Sequence, residues 1–207
     1  MRISFNDMIK ILCYIVAISL ISACSIFSPV KSPVMNQYVL KDTPHVKKHV
    51  KHDIVIAVAP ITSASLYNHY EMAYTTSPYE IDYFTKSKWA ELPANMLQNL
   101  LIKTLSDTHY FKGVIAMPTY EQFDYLLNAQ LLELKQVFYG DRSHYQVKLK
   151  VDLIAMHRNQ LIASKTFAKT VTAHENTARG GVIAANLAVR EVLKQMDHFV
   201  LKTVRNR

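Results

Sequence analysis

Between residues 145 and 153 the chain alternates strictly. Tyr145, Val147, Leu149, Val151 and Leu153 are apolar, and Gln146, Lys148, Lys150 and Asp152 between them are polar. A period of two predicts a strand with one buried and one wetted face. Residues 123–138 and 161–173 read as flanking strands, joined to it through Tyr139-Gly140-Asp141-Arg142 and His157-Arg158-Asn159-Gln160. Both connections have lengths suited to antiparallel hairpins, so the three strands are expected to form a sheet. Elsewhere the period lengthens. Leu92, Met96, Leu97, Leu100, Leu101 and Leu105 recur at one- to four-residue steps with Pro93 in the first turn, which predicts an amphipathic helix over 90–107. Val182, Ile183, Leu187, Val189, Val192, Leu193, Met196, Phe199, Val200 and Val204 form a second apolar stripe, opposite Arg190, Glu191, Lys194, Gln195 and Lys202. That stripe predicts a long C-terminal helix packed on the sheet.

Upstream, residues 37–41 read as a short strand, and residues 53–60, a β-branched run ended by Pro60, as a buried one. The stretch 61–88 is rich in tyrosine and short of aliphatics; two short strands are expected near 71–75 and 79–84, with a turn at Ser77-Pro78. The predicted fold is α+β: a two-layer sandwich in which a mostly antiparallel sheet packs against two long amphipathic helices. The β-then-helix rhythm occurs twice, and no other repeat is evident.

The first residues follow a different logic. Arg2 and Lys10 supply a positive start, residues 11–21 an apolar run, and Ser22-Ala23 the small residues a signal peptidase requires. The run ends in Leu20-Ile21-Ser22-Ala23-Cys24, which resembles a bacterial lipobox, where the cysteine becomes the diacylglyceryl-modified N-terminus. This predicts a signal peptide over 1–23, a lipid-anchored flexible linker over 24–36 containing Ser28, Pro29, Ser32 and Pro33, and a single domain over 37–207. Loss of Cys13 with the signal and capping of Cys24 would leave no thiol for a disulfide. Acyl chains contribute about 0.8 kcal/mol per buried methylene, and several chains together give durable attachment.

Composition narrows the chemistry. Half the residues are apolar, enough for a core, and Gly 4 and Pro 7 leave no room for a collagen-like or low-complexity reading. Gly113, Gly140, Gly180 and Gly181 are too few and too scattered for a phosphate-cradling loop. The formal charge of +8 becomes +7 without residues 1–23, and its basic groups are dispersed, so a nucleic-acid partner is set aside. Lys41, Lys47, Lys48 and Lys51 with Asp42 give a local +3, suited to anionic headgroups, an acidic partner or simple solvation. His45, His49 and His52 would share one face of a helix, a chelating geometry, but interleaved lysines favour a solvated loop, and no metal is expected. No Gly-x-Ser-x-Gly or His-Glu-x-x-His motif occurs. Carboxylates Glu80, Asp82 and Glu91 lie near aromatics, a combination also found in sugar-cleaving sites, yet ordinary strand-edge polarity accounts for them. No enzyme and no cofactor are expected, beyond the covalent N-acyl and S-diacylglycerol lipid on Cys24.

The order of these pieces carries a resemblance. The lipobox, the Gln37-Tyr38-Val39-Leu40 strand, the apolar strand ending in Ala59-Pro60, the segment Thr76-Ser77-Pro78-Tyr79-Glu80-Ile81-Asp82-Tyr83, and Lys88-Trp89-Ala90-Glu91-Leu92-Pro93 opening a helix together resemble the ABC-type transport auxiliary lipoprotein family, which includes the paraquat-inducible C lipoprotein. Family members carry arginines shortly before the Ser-Pro and directly before the Trp, where this chain has Thr75-Thr76 and Lys88. The resemblance implies a non-enzymatic lipoprotein on the periplasmic face of the outer membrane. There it would dock the periplasmic conduit of a trans-envelope lipid transport system, whose inner-membrane complex contains a mammalian-cell-entry (MCE) domain protein. Ser25 after the lipidated cysteine, in place of Asp, agrees with outer-membrane sorting in that family.

Tyrosine and tryptophan offer large contact area with a polar handle, which makes Tyr67, Tyr70, Tyr74, Tyr79 and Trp89 the interface candidates. Filling of a core edge is an equal reading for Trp89 and Tyr83. The rival function is a carrier module that binds phospholipid, with an acyl-chain cleft between the long helix and the sheet, for which an empty cavity lined by Leu, Val and Met would speak. A weaker rival is a tethered hydrolase of envelope polymers. Ring-like self-association into a homo-oligomer is compatible with a conduit component, although nothing in the spacing demands it.

Overall fold

The computed structural model describes residues 8–9 and 34–206. Its elements are β1 (Asn36–Tyr38), β2 (Val55–Val58), β3 (Thr62–Ser63), β4 (Glu71–Thr75), β5 (Asp82–Trp89), α1 (Pro93–Asp107), β6 (Gly113–Ala116), β7 (Tyr125–Tyr139), β8 (Arg142–Ala155), β9 (Gln160–Thr172) and α2 (Ala178–Arg205). From Met35 onward they belong to one compact unit. Apart from residues 8–9, the expected signal peptide lies outside the described residues, as does most of the expected linker, Cys24 included.

The strand β7 organises the sheet. One of its edges pairs along its whole length with β8, from Tyr125↔Ala155 to Tyr139↔Arg142, and β8 pairs in turn with β9. Gly140 at φ 52 and Asn159 at φ 45 turn the two hairpins, both residue types that enter the left-handed region at low cost. The other edge of β7 is shared by three short strands laid end to end, β2 at residues 125–127, β3 at 130–131 and β4 at 135–137, all parallel to it. Beyond β2 lies β6, and beyond β4 lie β5 and then β1.

This arrangement corrects the expected mostly antiparallel sheet. Five of the eight pairings are parallel, and only β4–β5, β7–β8 and β8–β9 run antiparallel. The physical reason is that parallel neighbours are joined by crossovers through distant chain, so no local turn signal announces them. Two smaller shifts accompany it. The strand expected near 79–84 runs instead from Asp82 to Trp89, and the helix begins at Pro93, with Trp89 ending β5. The strand β6 was not anticipated.

The expected alternation on β8 is observed: its odd-numbered residues from Ser143 to Ala155 are buried and its even-numbered ones partly exposed. α2 covers β8 and β9, and α1 packs against α2 and β6. The core between the layers joins Leu97, Leu101 and Leu105 of α1, Val189, Val192 and Met196 of α2, and Leu127, Leu131, Leu149 and Val151 of the sheet. The other face of the β7–β8 ribbon stays wet, with Lys148 to Glu133 at 3.7 Å and Lys150 to Asp152 at 3.3 Å. No described helix is long and apolar enough to cross a membrane.

Asn186 of α2 fastens the start of the domain to the long helix. Its Oδ1 accepts from the backbone N–H of Lys41 and Asp42 at 2.8 and 3.3 Å, and its Nδ2 donates to the carbonyls of Val39 and Val182. The amide is thereby satisfied at 7% exposure, and the segment after β1 is held on α2.

Asp197 on the same helix is less well served. It is 8% exposed, and its Oδ1 has no hydrogen-bond partner. Burial pushes its carboxyl up from the ordinary 3.8 to about 6, with Arg205 opposing the rise. The folded state therefore holds this proton more tightly than the unfolded chain, so the group favours folding below about pH 4 and loses that contribution as pH rises through 6. Asp197→Asn is expected to raise stability at neutral pH by about 1–2 kcal/mol and to match the native protein near pH 4. Urea denaturation at both pH values measures this; an unchanged midpoint at neutral pH would sink it.

Candidate functional site

Of the five aromatic candidates, two face inward. Trp89, at 1% exposure, stands in the core where β5 ends beside β1, its backbone N–H donating to the Tyr70 carbonyl at 2.7 Å. Tyr67, at 6% exposure, closes a 3-10 turn over Ser65–Tyr67. Burial, with Glu133 and Tyr83 nearby, pushes its hydroxyl up to about 12. Trp89 offers no surface to a partner and Tyr67 only a small part, in the wall of a shallow hollow, which corrects their place among the interface candidates; for Trp89 the core-edge reading is the one that holds.

Tyr79, Tyr74 and Tyr70 remain at or near the surface. The β4–β5 connection explains the most exposed of them. Thr75 Oγ1 donates to the Ser77 carbonyl at 2.6 Å, folding the chain back at Ser77-Pro78. Tyr79 then takes φ 71, a left-handed conformation that costs a bulky residue on the order of 1–3 kcal/mol. Its ring is fully exposed.

Below the turn, Tyr74, Phe84 and Phe138 form a partly open aromatic cluster. Tyr74 lies 4.7 Å from Phe84 and 5.7 Å from Phe138, and Phe84 and Phe138 are 6.3 Å apart. Two shallow hollows meet at Thr76. One, of about 350 Å³, includes Tyr74, Phe84 and Phe138 in its lining; the other, of about 400 Å³, includes Ser77, Pro78, Tyr79, Lys135 and Tyr139. Tyr139 is exposed and stacks on His144 at 5.0 Å. Sequence reasoning missed Phe84, Phe138 and Tyr139 as members of this surface. The last two lie about sixty residues downstream and arrive only because β4 pairs in parallel with the end of β7.

Tyr70 stands apart, half exposed just before β4. Glu91 also stands far from the other two carboxylates. Glu80, Asp82 and Glu91 are all exposed, and Glu91 lies past the far end of β5, roughly 25 Å of extended strand from Asp82.

The basic segment between β1 and β2 is irregular, so His45, His49 and His52 share no helical face. Backbone bonds from His49 to Thr108 and from His52 to Tyr110, each 2.8 Å, lay it along the end of α1. The His52 ring tilts on Tyr110 at 4.4 Å, and Arg205 places its guanidinium 5.1 Å from the Tyr110 ring and 2.9 Å from His49 Nδ1. Desolvation first, then Arg205 and Lys47, hold His49 below its ordinary value. Among the described residues no three metal-ligating side chains cluster.

Three solved structures share the fold. Protein XCC0632 from Xanthomonas campestris is 17% identical, covering 83% of this chain and 98% of its own, with a TM-score of 0.74. An uncharacterised protein is 14% identical, covering 81% and 99%, with a TM-score of 0.66. CT253 from Chlamydia trachomatis is 10% identical, covering 75% and 100%, with a TM-score of 0.50. At such identities the likeness concerns fold alone. Among curated proteins none matches significantly. The family model described as the ABC-type transport auxiliary lipoprotein component matches residues 38–197, from the end of β1 to the last third of α2. The chain is thus a member of the ABC-type transport auxiliary lipoprotein component family.

Proposed function

We propose that this auxiliary lipoprotein is held on the periplasmic face of the outer membrane by lipid on Cys24, and that it acts without catalysis as a docking platform. Its partner in this reading is the MCE-domain protein of an inner-membrane ABC-type complex that moves lipid across the envelope. The observation that carries the docking part is the aromatic surface around the β4–β5 turn, where Tyr79 is presented in a strained backbone conformation on a hollow it shares with Phe138, which in turn packs against Tyr74 and Phe84. Exposed aromatics set on rigid strands lose little entropy on binding, so they suit the centre of an interface. Ser25 after the cysteine supports the outer-membrane address.

Docking is favoured over an acyl-chain cleft because the core between the long helix and the sheet is filled, and the open groove at its rim, between α2 and β9, has no Leu, Val or Met in its lining. In that core Leu149, Val151, Phe167, Val189, Val192 and Met196 are each at most 2% exposed. The distance of Glu91 from Asp82 and the exposure of all three carboxylates weigh against the hydrolase reading.

A photocrosslinking residue placed at Tyr79 in cells tests the proposal. It is expected to capture the MCE-domain protein, with capture lost when Cys24→Ala releases the chain from the membrane and removes labelling by palmitate. Capture of bulk porins alone would overturn the docking assignment, and a palmitate-free native protein would overturn the anchor.

A further inference from the structure

Two observations meet at the edge of the sheet farthest from β1. The outer strand β9 is 13 residues long and, among the described residues, pairs only with β8. Its free edge therefore presents a row of backbone N–H and C=O groups. Beside it, between β9 and α2, runs an open groove of about 980 Å³. Phe167 and Phe199 meet in its floor at 5.6 Å, and Lys165, Lys194 and Lys202 outnumber Glu191 on its rim.

Lys165 connects the two features. It pairs with Val151, a buried residue of β8, so its side chain stands on the helix side of the sheet, with Nζ 5.2 Å from the Phe167 ring and 6.0 Å from that of Phe199. An inward-pointing charge on an edge strand discourages indiscriminate pairing. A strand that does add here has to neutralise it and gains specificity by doing so.

We propose that the β9 edge receives an extended segment of a partner protein as an added strand, with groove-facing positions that combine acidic and aliphatic side chains. Carboxylates would face Lys165, Lys194 and Lys202, aliphatic groups would cover Phe167 and Phe199, and the backbone would pair with the free edge. Other occupants fit this edge less well. A second copy would oppose β9 with itself, a strand carrying Lys165 and Lys169 and no acidic residue. Residues 25–33 of this chain carry Lys31, Pro29 and Pro33 and no acidic residue. An acyl lipid satisfies the lysines and the rings but offers nothing to the backbone row. This surface lies across the sheet from β1 and does not depend on the tyrosine surface at the β4–β5 turn.

The test uses the full chain in dodecylmaltoside micelles and a fluorescein-labelled peptide, TVTETVTE, read by anisotropy and by amide hydrogen exchange. Saturable binding is expected, with exchange slowed in β9 and the groove-facing side of α2. Lys165→Glu, at an exposed position that tolerates the change, is expected to weaken binding at least about ten-fold, and Lys202→Glu by less. The charge-reversed peptide TVTKTVTK should bind Lys165→Glu and not the native chain. Absence of binding at millimolar peptide, indifference to Lys165→Glu, or protection elsewhere in the molecule would overturn the proposal. Phosphatidylglycerol vesicles protecting β9 where the peptide does not would assign the groove to lipid and overturn it equally.

Discussion

Trp89→Ala is expected to cost about 3–5 kcal/mol of folding stability. The indole is 1% exposed and belongs to the continuous core that also contains Leu97 and Met72. Removing it leaves a cavity that the ends of β1 and β5 cannot close, since Tyr38 and Trp89 are paired in register and the backbone at Trp89 is bonded to Tyr70. Trp89→Phe should cost less, because most of the apolar area is kept. The chain has one tryptophan, so circular dichroism in urea is the proper readout. A lowered midpoint with an unchanged slope is the expected result. Capture of a partner by the fraction that remains folded should be unaffected. A variant that kept its midpoint but lost its partner would return Trp89 to the interface.

Gly180→Ala is the second large effect, and here two principles oppose each other. Helix propensity alone promises a gain of about 1 kcal/mol. The local structure reverses the sign: a Cβ on Gly180 would sit 2.3 Å from the backbone oxygen of Glu175 and 2.9 Å from its Cβ. Because the nearest atom is main chain, relief requires moving the turn that also carries the cap, in which Gly180 N–H donates to Thr177 Oγ1 at 3.0 Å. A net loss of about 1–3 kcal/mol is expected. Gly181→Ala should fail for a related reason, its Cβ falling 1.9 Å from the Oε1 of Gln136, a side chain buried completely and bonded to Ser143 at 2.8 Å. Denaturation of both variants measures the effect, and a stabilised Gly180→Ala would mean that α2 does not start against this turn as described.

Local patterns made much of the fold legible. The alternation of β8, the stripe of α2 and the two hairpin turns depend on contacts within a few residues or across a tight turn, and each is observed where the pattern placed it, except that Ile183 of the stripe faces solvent at 48% exposure. The strand at Glu71–Thr75 was expected over those same residues. By contrast, β6 is four residues long and begins at Gly113 with no alternation to mark it. The basic segment carried a helical spacing of histidines, but its backbone bonds go to the end of α1, so tertiary pairing overrode the local period.

The candidate site was legible in kind and not in membership. Tyrosine enrichment pointed to the right stretch, yet a burial pattern cannot be read from a segment whose aromatics serve both faces of a sheet. Tyr67 and Trp89 went to the core, and Tyr79 went to solvent because the turn at Ser77-Pro78 forces the chain to reverse there.

By itself the sequence determined the three long strands β7, β8 and β9 and the two helices, which face of β8 is apolar, and, through the order of its motifs, the family. Periodicity suffices for this because it records a local geometric repeat. Only the tertiary structure decided that β7 carries β2, β3 and β4 along one edge, that Phe138 joins Tyr74 and Phe84, and that β9 ends the sheet beside a lysine-rimmed groove. Those outcomes follow from the fit between surfaces far apart in the chain, a relation for which no short-range spacing carries a signal.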